Sequence, residues 1–356
     1  MRIRPTHKAK YIAIIISLFC LFLTACDTGI SIGGSSTGGT TSSGPIGAGV
    51  QGVKVFVEPN AGDSNITSAI TSAQKSVWVE MYLLSDRNVI RALEEAAHNG
   101  RDVRVMLEPH PFGGGASPRR TLDQLKAAGI QAQPTSSSFA LTHEKGMIID
   151  GSTAYIMTSN FTRAALGGSS GGSGRTTNRE YDIVDTNSQD VQAVIAIFNA
   201  DWNHTTAQFN DPNLVVSPVN SRNAFTTLIG SAHNTLLIEA EEMQDSNIEQ
   251  ALISAAQRGV HIQIILPSAS GSSRDTNSDG ISTIKQGNIQ VKEDPRLYMH
   301  AKIIVVDGQK AFVGSENISS QSLDKNRELG ILVSDGSVLG TLQQTFQQDW
   351  SESQSV

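Results

Sequence analysis

Two short polar constellations stand out because the same side chains recur at the same spacing. In one, His143-Glu144-Lys145 is followed after four residues by Asp150; in the other, His300-Ala301-Lys302 is followed after four residues by Asp307. Residues two apart on a strand point to the same face, so each His and Lys would stand beside one ligand. An imidazole can act as nucleophile or move a proton near neutral pH, and an ammonium next to it can neutralise an anion. The segments Gly146-Met147-Ile148-Ile149 and Ile303-Ile304-Val305-Val306 are apolar, as a buried strand requires. Downstream come Met157-Thr158-Ser159-Asn160 and Gly314-Ser315-Glu316-Asn317, then Asn178-Arg179-Glu180 and Asn326-Arg327-Glu328.

The elements that would carry these residues are themselves duplicated. Ser72-Ala73-Gln74-Lys75-Ser76-Val77-Trp78-Val79-Glu80 aligns with Ser231-Ala232-His233-Asn234-Thr235-Leu236-Leu237-Ile238-Glu239. Without a gap the match continues to Gly100 and Gly259 and on to Val103-Arg104-Val105-Met106-Leu107 against His261-Ile262-Gln263-Ile264-Ile265. Each copy reads as an apolar strand, a 3.6-period helix ending at glycine, and a second apolar strand. Such units predict crossovers and a largely parallel sheet. Both copies close with Phe-x-x-Asp-Trp, at Phe198–Trp202 and Phe346–Trp350, which read as helix ends. The fold class expected is therefore α/β, as two similar domains spanning 51–210 and 211–356, with the break near Asn210-Asp211-Pro212-Asn213.

A duplicated H-x-K-x4-D motif followed by G-S-x-N resembles the mark of the phospholipase D superfamily, over nearly all of residues 50 to 350. The resemblance implies two α/β sandwich domains about a pseudo-twofold axis, with one active site at their interface. It also implies a monomer, since one chain supplies both motifs. A phosphodiester would be held by Lys145 and Lys302, the amides of Asn160 and Asn317, and the hydroxyls of Thr158 and Ser315. One imidazole would attack phosphorus to form a phosphohistidine. The other would protonate the departing oxygen and then activate water or an alcohol. By family analogy His143 is the nucleophile and His300 the acid. Glu180 and Glu328 would each orient a ring from its second nitrogen. Asp150 and Asp307 would brace the fold. No metal or other cofactor is called for, since lysines do the neutralising. The first copy departs from the pattern at Met157-Thr158, where bulk could alter the phosphate contact.

Outside the repeat, Arg2, Arg4, Lys8 and Lys10 precede an apolar run from Tyr11 to Leu23, which reads as a secretory signal over residues 1–25. Leu23-Thr24-Ala25-Cys26 resembles a bacterial lipobox, implying lipidation at Cys26 and a membrane-anchored, extracytoplasmic protein. In diderm bacteria Asp27 would resemble an inner-membrane retention signal. Residues 26–50 are rich in Gly, Ser and Thr and read as a flexible tether. Loss of the signal removes four basic side chains and leaves 23 Lys+Arg against 34 Asp+Glu, a net charge of −11. Such a body is a poor ligand for nucleic acid, whose binding draws on cationic neutralisation of phosphates. The substrate expected is a phospholipid, cleaved by hydrolysis of its headgroup; a nuclease or a cardiolipin synthase-like transferase are the alternatives. Asp275-Thr276-Asn277-Ser278-Asp279-Gly280 has the oxygen spacing of a calcium loop, but Gln286 stands where a bidentate Glu belongs, and an Asx-rich turn before a helix explains it more simply. Gly167 to Gly174 lacks the Gly-Lys-Ser/Thr of a phosphate loop and reads as an inserted loop.

Overall fold

A computed structural model describes residues 45–112, 117–167, 177–269 and 275–356. The first half runs β1 (Lys54–Glu58), α1 (Ser64–Ser72), β2 (Ser76–Met81), α2 (Arg87–His98), β3 (Asp102–Leu107), α3 (Pro118–Ala127), β4 (Gln131–Pro134), β5 (Lys145–Ile149), β6 (Thr153–Met157), β7 (Thr177–Asp185) and α4 (Ser188–Trp202). The second runs β8 (Leu214–Ser217), α5 (Ser221–Gly230), β9 (Thr235–Ala240), β10 (Met243–Gln244), α6 (Ser246–Gln257), β11 (His261–Pro267), α7 (Ser278–Lys285), β12 (Gln290–Asp294), β13 (Leu297–Met299), β14 (Lys302–Val306), β15 (Lys310–Gly314), β16 (Ile318–Ser319), α8 (Ser320–Asp324), β17 (Glu328–Val333), α9 (Gly336–Glu352) and β18 (Gln354–Ser355).

Strand order is β1-β7-β6-β5-β2-β3-β4 in one sheet and β8-β17-β15-β14-β9-β11-β12-β18 in the other. Apart from the added edge strand β18, these are the same topology, so the halves are two copies of one α/β unit about a pseudo-twofold. The sheets are mixed rather than largely parallel. Along these two strand orders β2–β3–β4 and β9–β11–β12 run parallel, while β5, β6, β7 and β1 and their counterparts alternate. The motif strand and its successor form a hairpin, and a connection that short cannot join parallel strands. The hairpin turns hold Asp150 at φ 56° with Gly151 at 65°, and Asp307 at φ 52° with Gly308 at 64°. This left-handed backbone suits Asp and Gly and few other residues.

The repeated helices form for repeated reasons. Asp86 accepts from the N–H groups of Asn88 and Val89 to start α2, and Asp245 accepts from Ile248 to start α6. Each buries one apolar stripe, Val89, Leu93 and Ala96 or Ile248, Leu252 and Ala255, and each is followed by a positive-φ glycine, Gly100 or Gly259. Helices α1–α3 cover the outer face of one sheet and α5–α7 that of the other. Between the sheets lies a third core, drawn from both halves and from α4 and α9, including Ile156, Ile183, Phe198, Val313, Leu342 and Phe346.

The chain before β1 packs on the second half. Gly47 N donates to Pro212 O at 2.6 Å, and buried Val50 bridges Val333. Residues 47–50, placed in the tether by the sequence reading, thus have fixed backbone partners. Cys26, Asp27 and residues 26–44 lie outside the described residues, as do residues 168–174 of the glycine-rich loop. No helix among the described residues is long and apolar enough to cross a membrane.

Candidate active site

Each catalytic-candidate histidine sits just before a core strand, on a segment that crosses to the other half. Thr142 bridges Arg327, and His143 N donates to Arg327 O at 2.8 Å. In the mirror arrangement β13, which leads into His300, pairs with Thr177–Arg179 of β7. The crossings bring both motifs to one place: Lys145 and Lys302 both bear electrostatically on His143.

The orienting carboxylates are exchanged between halves. His143 Nδ1 donates to Glu328 at 2.9 Å, and His300 Nδ1 reaches both oxygens of Glu180 at 2.8 and 2.9 Å. With Nδ1 occupied, Nε2 of each ring is the nitrogen left for chemistry. Each carboxylate is itself fixed. Asn178 and Thr158 donate to Glu180, while Asn326, Ser315 and Ser322 donate to Glu328. Burial pushes the Glu328 carboxyl up, but His143 and Lys145 outweigh it and hold it below the usual range. Burial lowers the His143 imidazole despite the opposing pull of Glu328, so its neutral form is favoured. The Lys145 amine comes down to about 7, through burial first, with Glu328 opposing and Lys302 adding to the shift.

Thr158 and Ser315, read from the sequence as phosphate ligands, are both bonded to protein groups. Both are fully buried; each hydroxyl donates to a carboxylate (2.6 and 2.7 Å) and accepts a backbone N–H, from Tyr181 or Leu329. The hydroxyl proton goes to the stronger, charged acceptor. Met157-Thr158 therefore preserves the function of Gly314-Ser315. Gly314 is required by its own sheet, because a Cβ there would lie 2.4 Å from the Cα of Gly330, whereas Met157 faces Asp182.

Asn160 and Asn317 are buried, each with a side-chain carbonyl that has no hydrogen-bond partner among the described residues, and Asn317 Nδ2 lies 3.4 Å from Glu241 Oε2. Asp150 accepts from the N–H groups of Gln74, Lys75 and Ser76, and Asp307 from those of His233, Asn234 and Thr235. These aspartates pin the hairpin turn to the start of β2 or β9.

The arginines beside the carboxylates are exchanged too. Arg179 forms a bidentate pair with Asp349 of α9 at 2.5 and 2.7 Å, and Arg327 pairs with Asp201 of α4 at 2.8 and 3.0 Å. All four are buried. The Asp of each Phe-x-x-Asp-Trp motif is thus the partner of the other half's Asn-Arg-Glu motif. Near the Arg327 pair, Glu80 has no hydrogen-bond partner for either oxygen, and Glu144 is close enough for both to interact with Asp201. Burial first, then Asp201, pushes Glu144 up to about 8, so this group is a proton carrier at neutral pH rather than a free anion.

Three residues of the site were not singled out by the motif. Tyr82 lies edge-on to His143 at 4.7 Å, and Lys145 sits 5.2 Å from its ring. Glu241, at the matching position of the repeat, instead places a carboxylate 2.8 Å from Lys302 Nζ; Tyr298 donates to it at 3.0 Å. The gapless repeat carried the signal for Tyr82 and Glu241, which face each other 159 positions apart in the same alignment as Glu80 and Glu239. In the calcium-like segment, Asn277 is committed to protein backbone, accepting from Met243 N and donating to Glu241 O, and α7 begins at Ser278.

Two like α/β units meeting at paired His-x-Lys motifs define the phospholipase D class of enzymes. The chain belongs to the family described as "Cardiolipin synthase, PLD-like domain", whose model matches residues 66–202 and 225–350. It is 23% identical over 342 residues to a probable cardiolipin synthase of Bacillus subtilis, covering 85% of this chain and 67% of that protein. It is 22% identical over 336 residues to cardiolipin synthase A of Pseudomonas aeruginosa, with the same two coverages, 85% and 67%. Among solved structures, phosphatidylserine synthase of Haemophilus influenzae Rd KW20 shares the fold at TM-score 0.63 and 12% identity, over 85% of this chain and 87% of that one.

Proposed function

We propose that this chain transfers a phosphatidyl group between alcohols, cleaving a phospholipid headgroup through a phosphohistidine, with water as a competing acceptor. The observation that carries this reading is the exchanged pair of carboxylate–imidazole contacts, which leaves two Nε2 atoms facing one site lined by two lysines and two amides. Relatives named as cardiolipin synthases support transfer over the simple hydrolysis first expected.

In the first step His143 Nε2 forms a bond to phosphorus as the bond to the headgroup oxygen breaks, and His300 gives that oxygen its proton. In the second, an acceptor oxygen attacks phosphorus, its proton passes to His300, and the P–N electron pair returns to His143. Lys145 and Lys302 offset the phosphoryl charge, and the amides of Asn160 and Asn317 hold its oxygens. The neutral form favoured at His143 fits the nucleophile. Lipidation at Cys26, export and anchoring on the extracytoplasmic membrane face, and action as a monomer belong to the same reading. The polybasic contacts needed for nucleic acid find no support in the chain's composition.

The test is incubation of the full chain with phosphatidylglycerol vesicles and carbon-deuterated glycerol, with acid-quenched phosphoenzyme mapped by mass spectrometry. The expected result is an exchange product and a phosphate-bearing adduct on His143. Turnover of single-stranded DNA alone would sink the proposal, and an adduct on His300 would reverse the two roles. A Cys26→Ala chain that stays with membranes would refute the anchor.

A further inference from the structure

The position at which the two halves differ inside the site has chemical consequences. Tyr82 and Glu241 occupy the same place just after the central strand of each sheet. Glu241 Oε2 lies 2.8 Å from Lys302 Nζ, 3.4 Å from Asn317 Nδ2 and 3.5 Å from His300 Nε2, and its Oε1 accepts from Tyr298 OH at 3.0 Å. His300 Nε2 is the atom that hands a proton to the departing alcohol and takes one from the entering alcohol. The carboxylate therefore stands beside the path of the alcohol oxygen.

Lysine has three donors. Lys302 gives one to Glu241 and one to His300 O at 2.6 Å, which leaves the third for a phosphoryl oxygen. Lys145 gives one to His143 O at 2.5 Å and, when charged, has two with no acceptor among the described residues. Glu241 can thus stay in place while phosphate binds, mainly against the first half. An ionised carboxylate only accepts hydrogen bonds, and it repels a second phosphate; what it recognises is a hydroxyl or ammonium. Burial pushes Glu241 up, but His300 and Lys302 hold it well below the usual carboxylate range, so it is that acceptor across the working pH range. Tyr298, 38% exposed and tilted against the His300 ring at 6.2 Å, forms the outer wall of the same place.

We propose that Glu241 and Tyr298 form the alcohol subsite of this enzyme, selecting headgroups and acceptors that carry a second hydrogen-bond donor near the reacting hydroxyl. This rests on the transfer reading above. It assigns the specificity to a pair of residues that the repeat makes unique to the second half.

The test uses the full chain with phosphatidylglycerol vesicles and two acceptors at equal concentration, carbon-deuterated glycerol and 1-propanol, with the product ratio read by mass spectrometry. Both products come from one phosphoenzyme, so changes in overall rate cancel. The wild type should favour glycerol. Glu241→Ala should lower the glycerol-to-propanol ratio about tenfold, the worth of one charge-assisted hydrogen bond, and Tyr298→Phe by a few-fold. Ethanolamine in place of glycerol tells whether ammonium or hydroxyl is preferred. A ratio within twofold of wild type in both variants overturns the subsite, as does an equal rise in turnover with both acceptors, which would make Glu241 a mere obstruction. If the wild type yields no alcohol-exchange product, the transfer reading fails. The subsite is then read from hydrolysis of phosphatidylglycerol against phosphatidylpropanol, where a tenfold loss of discrimination in Glu241→Ala supports it and no loss overturns it.

Discussion

The first half of this molecule places Tyr82, an aromatic edge, beside His143 and Lys145; at the matching position the second places Glu241, an anion bonded to Lys302 and close to His300. Around that one position nearly everything else is matched: strand order, helix caps, Asp-Gly hairpin turns, carboxylate–imidazole pairs and arginine–aspartate pairs. A duplicated unit therefore keeps what builds the site and varies what decides how each histidine is used. On the Tyr82 side Lys145 donates only to a backbone carbonyl among the described residues. The Glu241 side spends part of its lysine's capacity on a residue that can address the alcohol.

The largest way to break this comparison is to remove each imidazole. His143→Ala should abolish both turnover and the phosphoenzyme, a loss of at least about 10⁴-fold. His300→Ala should slow turnover by about 10²–10⁴-fold while an activated substrate with a good leaving group still loads phosphate on His143. Equal loss of loading in both would erase the division of labour. Next in size is stability. Asp349→Asn leaves Arg179 a buried cation with one carboxylate removed, and should cost about 3–5 kcal/mol in denaturant titration. Asp201→Asn should cost a similar amount through Arg327, and unequal costs would show that the exchanged pairs are not equivalent.

Smaller effects sharpen the picture. Glu328→Gln keeps the shape but loses the charge that orients His143, and should lower kcat by about a hundredfold with KM little changed. Lys145, at about 7, carries its charge below that pH and loses it above, so binding of inorganic phosphate as a competitive inhibitor should weaken as pH rises from 6 to 8. An unchanged inhibition constant over that range would contradict the assigned role. The smallest effect concerns Glu144. Its folded-state pKa of about 8 lies above the ordinary 4.5, so the folded chain binds more protons than the unfolded one between those values. Stability should fall as pH rises through that window, and Glu144→Gln should flatten the fall by about 1–2 kcal/mol near pH 8, measured by thermal or denaturant melting.

Much of this was legible in the sequence because the repeat exposes it. His143, Lys145, His300 and Lys302 announce themselves by recurring at one spacing within a gapless structural match, and the strand–helix–strand reading of each copy agrees with β2–α2–β3 and β9–α6–β11. Spacing within a half is silent about pairing between halves. Nothing in the order of residues shows that Glu328 serves His143, or that Arg179 waits for Asp349; those facts belong to topology. Spacing is equally silent about the Thr158 and Ser315 hydroxyls, whose carboxylate acceptors Glu180 and Glu328 stand 22 and 13 residues further along the chain. The parallel sheet was overestimated because the motif hairpin, short and antiparallel, resembles any other apolar strand pair until its turn is seen.

The exchanged arginines also bear on how the protein is made. Asp349 sits on α9, which follows every catalytic motif along the chain, while Arg179 is placed long before it. A nascent polypeptide interrupted anywhere before α9 holds an unmatched guanidinium where a core should close, and its His143 is unsupported until β17 has been synthesised. A partial product thus lacks both the partner of that buried cation and the carboxylate that orients His143, so the site is complete only when the closing helix is in place.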